Sequence, residues 1–146
     1  MNGELLKVNN LTVSLGAGEK ALKIIRGFEI TINKGEIVGI LGESGSGKTV
    51  SSNMIARIYD SEESSIDSGS IDFMGENVVL MKEESLINLR GKRISYIFQN
   101  PSQSMNPYKK TGRQLEELLK IHGIEHSKET IIKAMTEVGL ERPEVV

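Results

Sequence analysis

The chain has 146 residues, of which 26% are charged and 38% hydrophobic, and this is the composition of an ordinary folded protein about one domain long. A formal net charge of -2 excludes the strongly basic surface of a nucleic-acid-binding protein, and the absence of cysteine excludes disulfides and thiolate metal sites. No apolar run approaches the ~20 residues of a membrane-spanning helix, and residues 1–4 lack a signal-peptide pattern, which is compatible with a cytosolic location.

The N-terminal part of the sequence predicts strands. Residues 5–15 alternate imperfectly between apolar and polar side chains, and residues 24–32 alternate more regularly, so we expect one or two short strands followed by a half-buried strand. A flexible turn is predicted at 16–20 and a tight turn at 33–35. The apolar run at 37–41 predicts a buried strand. Two antiparallel strands leading into a buried one are typical of an α+β start.

Residues 42–49 match the phosphate-loop pattern G-x-x-x-x-G-K-[ST], between the predicted strand at 37–41 and a segment compatible with a helix at 49–58. The glycines allow successive backbone N–H groups to turn inward, and the helix N-terminus adds positive potential. Lys48 is expected to contact the β- and γ-phosphates of a nucleotide, and the Thr49 hydroxyl to bind Mg²⁺. The predicted phosphate-binding residues are Gly42, Glu43, Ser44, Gly45, Ser46, Gly47, Lys48 and Thr49.

Apolar residues after this loop recur at helical spacing, which predicts that the helix packs on the sheet through Val50, Met54, Ile55 and Ile58. The next predicted elements are a surface loop without chemistry at 60–68, a strand at 70–73 before the turn residue Gly75, a short helix at 83–89 and a strand at 94–98.

The last third of the sequence predicts a helical hairpin. Residues 111–114 have capping-box spacing, and Ser127 is expected to cap a second helix that stops at Gly139. We therefore expect a phosphate-loop core over residues 1–108 and the start of a helical part over 109–146. His122 and His126 are expected to be solvated.

Gln99 follows the predicted strand at 94–98, at the edge of a sheet that would carry the phosphate loop. A glutamine there can reach the ligand crevice of an α/β fold. Taken alone, such a residue is more often an amide that caps its own loop.

Together these segments resemble the ATP-binding subunits of ABC transporters, and most closely the subgroup of dipeptide, oligopeptide and nickel importers. The loop GESGSGKT has the additional glycine, Gly45, that ABC phosphate loops carry. Arg90 and Gly91, followed by ISYIFQNP at 94–101, resemble the entry to the Q-loop of that subgroup, and SMNP at 104–107 is close to its usual SLNP. The resemblance covers essentially the whole chain.

The resemblance implies an α/β fold: a P-loop NTPase core with an N-terminal antiparallel β subdomain and the start of a helical subdomain. It implies that residues 42–49 bind ATP, that Thr49 and Gln99 coordinate Mg²⁺, and that Lys48 and Gln99 contribute to catalysis. The implied partners are transmembrane permease subunits, a second ATP-binding subunit in a homo- or heterodimer and, indirectly, an extracytoplasmic solute-binding protein. No nucleic acid is expected, and the location would be the cytoplasmic face of the membrane.

The sequence departs from the family pattern in three respects. Leu15 stands where an aromatic residue usually stacks on adenine. No apolar run followed by Asp-Glu is present, and neither the Leu-Ser-Gly-Gly signature nor a downstream switch histidine is present. We therefore expect a truncated family member that binds nucleotide without efficient hydrolysis, and that is poorly stable or self-associates in isolation.

Two other functions are compatible with a phosphate loop. A P-loop kinase acting on a small molecule would need an arginine-rich lid, whereas the arginines of this sequence are scattered. A non-catalytic nucleotide-binding module would need only the loop itself.

Overall fold

The computed structural model describes residues 3–16, 21–58 and 64–142, with the side chains of residues 102 and 103 left aside. It divides into two compact units, Met1–Arg90 and Gly91–Val146. The sequence predicted a domain boundary between residues 108 and 109. A compact unit is not the same as a domain, so this boundary stays a prediction. Parts of the predicted segments at 16–20 and 60–68 lie outside the described residues.

The first unit is built on an antiparallel sheet of four strands in the order β2-β1-β3-β4. The strands are β1 (Glu4–Leu15), β2 (Leu22–Asn33), β3 (Ser64–Phe73) and β4 (Glu76–Asn77). Strand β1 pairs with β2 along one edge and with β3 along the other, so that Val8 lies opposite Ile30 and Ile71. The predicted antiparallel strands at the N-terminus are therefore confirmed. The loop predicted at 60–68 is wrong over residues 64–68, because β3 begins at Ser64.

A bulge in β1 explains its imperfect alternation. Leu6 and Val8 are buried before it, and Leu11 and Val13 are buried after it, which shifts the apolar phase by one residue. The pairing register shifts at the same place on both edges, and Asn10 has a left-handed φ of 43°. Because the bulge adds one residue, the apolar side chains on both sides of it face the same core.

Three helices among the described residues of the first unit complete this core. They are α1 (Lys48–Ile55), a short 3₁₀ helix (Val78–Leu80) and α2 (Glu83–Leu89), which matches its predicted bounds. Met54 of α1 is buried as expected, whereas Val50, Ile55 and Ile58 are only half-buried. Ser51 and Asn53 are instead the buried polar residues of α1.

The two predicted buried strands are wrong. Residues 37–41 lie outside any strand, and Ile37 and Leu41 are 99% and 96% exposed. Of the predicted strand at 94–98, residues 95–98 also lie outside any strand, and Ile97 is 88% exposed. A strand that is apolar on both faces needs a paired strand at its edges and a layer on each face. Among the described residues neither segment has such partners, so the parallel part of the expected α/β core is not formed there.

The second unit carries the helical hairpin that the sequence predicts. It contains a 3₁₀ helix (Pro101–Ser104), α3 (Thr111–Ile121) and α4 (Lys128–Glu137). The Ser127 side chain accepts a hydrogen bond from the Thr130 N–H at 3.2 Å, which confirms the predicted cap of α4, and Gly139 follows its end with φ 80°. No helix among the described residues has both the length and the apolar character needed to cross a bilayer.

The capping box predicted at 111–114 is wrong. Helix α3 has Lys110 at its N-cap and no side-chain cap. The Gln114 amide instead holds the preceding loop, where its oxygen accepts from the Asn106 N–H at 2.9 Å and its nitrogen donates to the carbonyls of Asn106 and Lys109. Gln114 therefore fixes the shape of the SMNP segment.

Replacing Gly69 by Ala should strongly destabilise the first unit. Gly69 has φ 98° beside the β1 bulge, and a Cβ there would lie 2.6 Å from the carbonyl oxygens of Asn9 and Asn10. We expect the free energy of unfolding, measured with urea, to fall by about 3 kcal/mol. Gly3→Ala is the control because a Cβ at Gly3 meets nothing within 4 Å; equal urea midpoints for the two variants would contradict the close packing at the bulge.

The stability of the β1–β3 pair should depend on pH through Asp67. Hydrogen bonds from Ser14 and Ser65, with the charge of Lys23, hold the pKa of the Asp67 carboxyl below its ordinary value of 3.8. A carboxyl whose pKa is lowered by folding stabilises the folded state above its unfolded pKa, and this contribution is lost as the pH falls through the folded value. We expect Ser14→Ala to move the Asp67 pKa upward toward 3.8 in a carbon-detected NMR titration. An unchanged Asp67 titration would show that the 2.5 Å Ser14–Asp67 hydrogen bond is not formed in solution.

Candidate phosphate-binding site

The phosphate loop is an exposed turn that ends at the N-terminus of α1. Residues 42–46 are exposed, Gly47 and Lys48 are half-buried, and Thr49 is exposed in the first turn of α1. The Ser46 N–H donates to the Glu43 carbonyl at 3.3 Å, and the Ser51 N–H donates to the Gly47 carbonyl at 2.8 Å. The loop is thus closed on itself and continuous with the helix.

Two glycines of this loop suit their positions for different reasons. Gly47 is the N-cap of α1 in the left-handed region, with φ 90°, and a Cβ there would lie 3.4 Å from the Ile24 carbonyl oxygen of β2. Gly42 has no unusual φ, but its Cβ would lie 2.7 Å from the Ser46 Oγ across the turn. The glycines therefore permit both the backbone path and its close approach to neighbouring atoms.

Lys48 is held by its own loop. Its Nζ donates to the carbonyl oxygens of Gly42 at 2.8 Å and Glu43 at 2.6 Å, and a longer bond of 3.5 Å reaches the Ser46 Oγ. An ammonium group has three donors, so these contacts use all of them. A phosphate oxygen that binds Lys48 must replace one contact, and the long bond to Ser46 is the weakest of the three.

The loop fits a polyphosphate. The N-terminus of a helix presents free N–H groups and positive potential to an anion, and Lys48 adds a full positive charge beside them. The exposed Thr49 hydroxyl lies one residue further along the helix, accessible to a metal ion that accompanies the phosphates. The described residues contain no cluster of three or more His, Asp or Glu side chains that could hold a metal by themselves.

The other predicted residue, Gln99, belongs to the second unit. It lies exposed at a bend, directly after the segment 95–98, in which the Tyr96 and Phe98 rings have their centroids 4.8 Å apart. Its roles as a Mg²⁺ ligand and in catalysis stay predictions. Leu15 ends β1, half-buried and paired with Leu22 and Ser64, and its role beneath adenine likewise stays a prediction.

His122, predicted to be solvated, is half-buried at the C-cap of α3, whereas His126 is exposed. A Cβ on Gly91 would lie 2.7 Å from the His122 Nε2, so the imidazole occupies the space beside that glycine. Gly91 also has φ 80°, and this left-handed backbone, together with the contact, favours glycine at residue 91.

One groove described in the second unit is separate from these residues. It lies between α3 and α4, has a volume of about 720 Å³, and is lined by charged side chains of both signs together with Ile131 and Met135. None of the predicted site residues lines it. A groove of mixed charge is a poor phosphate site, so we assign it no ligand.

Arg90 has a structural role in the first unit that the sequence patterns did not predict. Its Nε donates to the Ala56 carbonyl at 2.8 Å, a second nitrogen donates to the Arg57 carbonyl, and the third contacts Glu83 Oε1 at 2.8 Å. The two carbonyls lie 34 and 33 residues before Arg90 in the sequence, so a local sequence pattern cannot predict these contacts.

Comparison with known proteins gives one family. The model of the ABC transporter family matches residues 25–145. Similar curated proteins include an oligopeptide transport ATP-binding protein of Bacillus subtilis (36% identical, over 96% of this chain and 40% of the relative) and a probable peptide ABC transporter ATP-binding protein of Sinorhizobium fredii (33%, over 94% and 41%). A third is a probable D,D-dipeptide transport ATP-binding protein of Escherichia coli (33%, over 84% and 37%). The chain thus spans about two fifths of the length of these relatives.

Replacing Gly47 by Ala should disturb the junction between the loop and α1. The left-handed φ and the Ile24 carbonyl both oppose a Cβ there, so we expect a loss of about 1–2 kcal/mol in the free energy of unfolding. We also expect faster amide hydrogen exchange over residues 46–49. Gly39→Ala is the matched control, because a Cβ at Gly39 meets nothing within 4 Å. Equal exchange in the two variants would contradict the assigned role of Gly47.

Proposed function

Because the chain belongs to the ABC transporter family, we propose that it binds ATP through residues 42–49 and forms part of the ATP-binding subunit of a peptide importer. The observation that carries this proposal is the glycine loop closed around Lys48 at the N-terminus of α1. The relatives' names support peptides, or a related small solute, as the cargo.

Each residue of the loop has a defined task in this proposal. The backbone N–H groups at the start of α1 bind phosphate oxygens, and Lys48 exchanges its Ser46 contact for an oxygen of the β- or γ-phosphate. Thr49 and Gln99 would hold Mg²⁺, which supplies charge neutralisation on the phosphates when bound. Such binding positions the polyphosphate chain and lowers its electrostatic repulsion, which are the main requirements of phosphoryl transfer.

Hydrolysis needs groups that this sequence does not contain. No apolar run ends in Asp-Glu, and no Leu-Ser-Gly-Gly segment is present. We infer that the 146-residue chain alone binds ATP without efficient turnover, and that activity belongs to a dimer of longer subunits. In that assembly the partners are permease subunits, a second ATP-binding subunit and, indirectly, an extracytoplasmic solute-binding protein, at the cytoplasmic face of the membrane.

The structure disfavours a small-molecule kinase and leaves a non-catalytic nucleotide-binding module as the second candidate. A kinase lid needs arginines that can close over two phosphate sites. Here Arg90 is committed to the carbonyls of Ala56 and Arg57, and Arg57 donates to the Met81 carbonyl at 2.8 Å. The non-catalytic module is favoured by the loop geometry, which supports binding by itself.

Replacing Lys48 by Ala should weaken ATP binding. The side chain provides a charge-assisted contact to phosphate, so we expect Kd to rise by about 30-fold or more, equivalent to roughly 2 kcal/mol. The measurement is fluorescence titration with a labelled ATP in the presence of Mg²⁺. Lys34→Ala is the matched control, since Lys34 is an exposed lysine in the β2 turn outside the loop. An unchanged Kd for Lys48→Ala would disprove the phosphate-binding role, and phosphate release by the unmodified chain well above background would disprove binding without turnover.

A further inference from the structure

The C-terminal end of α1 is held by the guanidinium group of Arg90, which we call the arginine clamp. Arg90 donates to the carbonyls of Ala56 and Arg57 and is oriented by its ion pair with Glu83. Arg90 is the C-cap residue of α2, so the clamp ties the C-terminal turn of α1 to the end of α2. The neighbouring Arg57 side chain lies outside the clamp and donates to the Met81 carbonyl at 2.8 Å.

The C-terminal turn of α1 has an arginine, Arg57, at a position where helices commonly have glycine. The Arg57 N–H bonds to the Met54 carbonyl and the Ile58 N–H to the Asn53 carbonyl, which is the Schellman pattern of a helix end. The helices α3 and α4 end in the same pattern with Gly123 and Gly139 at the left-handed position. In α1 that position is Arg57, with φ 49°, where a side chain is strained. The clamp maintains this turn without the glycine it favours.

The opposite end of α1 has little support of its own. Residues 42–46 are exposed, and the preceding segment at 37–41 lies outside any strand. Contact with β2 at this end includes the approach of Gly47 to Ile24 and Ile25. The buried apolar residues of α1 and its end, Met54 and Ala56, both lie near the clamp. The C-terminal end of α1 therefore contributes to the direction of the helix, and with it to the position of the loop.

Direct electrostatic action of the clamp on a phosphate is weak. A helix of this length separates its ends by ~12 Å, and the charge of Arg90 is already paired with that of Glu83. An effect of Arg90 on the phosphate loop must consequently act by changing the position of α1. The forked guanidinium group of Arg90 fixes that position because it binds two carbonyls at once.

We propose that Arg90 is a positioning residue for the phosphate loop. It acts through the C-terminal turn of α1 and not through its charge. This inference rests on the nucleotide binding proposed above and adds a residue outside the loop to the determinants of affinity. Loss of the fork leaves α1 able to tilt, which displaces the N–H groups and Lys48 from the phosphates.

The test compares Arg90→Lys, Arg90→Gln and Arg57→Gly in the full chain. Lysine keeps the charge but cannot hold both carbonyls as the fork does. We expect Arg90→Lys and Arg90→Gln to raise the Kd for Mg-ATP alike, by about tenfold, at a temperature well below each unfolding midpoint. Arg57→Gly removes a neighbouring arginine outside the clamp and keeps the backbone carbonyl that Arg90 binds. Its Kd should therefore stay within about twofold of that of the unmodified chain, since glycine suits a left-handed φ.

A second measurement needs no nucleotide. Amide hydrogen exchange over residues 46–55 should be faster in Arg90→Lys than in Arg57→Gly. If the unmodified chain fails to bind ATP, the proposed function is lost but this comparison still decides the role of Arg90. If Arg90→Lys keeps both the Kd and the exchange pattern of the unmodified chain, or if only its unfolding midpoint falls, the positioning role is overturned; should Arg90→Gln not fold, Arg90→Lys alone decides it.

Discussion

Strand β1 is hydrogen-bonded along both edges, and the packing of the first unit depends on the residue that interrupts it. The bulge at Asn10 reverses the phase of the strand, so Leu6 and Val8 share a buried face with Leu11 and Val13. Gly69 makes this possible, because the neighbouring strand β3 passes the bulge too closely for any side chain there. Burial of Ile71, Phe73 and the helices above them follows from that one register.

Helix α1 is held by Arg90 at its C-terminal end and carries the phosphate loop at its N-terminal end. The C-terminal end holds Met54, Ala56 and the carbonyls that Arg90 binds. The free end presents N–H groups, Lys48 and Thr49 to solvent. This arrangement places the chemistry of anion binding where water and ligand have access, and the rigidity it needs where they do not.

The sequence predicted the features whose causes are local. The turn at 33–35, helix α2, and the Ser127 and Gly139 ends of α4 each depend on residues within one or two turns of each other. The predicted strands at 37–41 and 94–98 were wrong because an apolar run indicates a preference for burial, whereas a strand also needs a paired neighbour. The roles of Arg90 and Gln114 were missed because an arginine or glutamine can bind any carbonyl that the fold brings near it. For the site, the loop residues were recognised from their pattern, but the self-binding of Lys48 depends on the three-dimensional turn.

The order of the strands has a further consequence for the path of the chain. Strands β2 and β3 both pair with β1, so the sheet is formed by strands that precede and follow the connection from Asn33 to Ser64, which we call the excursion. The phosphate loop and α1 lie within that excursion and contribute no strand to the sheet. Closing such an excursion costs entropy that grows only slowly with its length. Substitutions in the loop that leave the C-terminal end of α1 intact can therefore change which ligand is bound without changing the register of the sheet. The ligand can thus change in evolution while the fold stays the same.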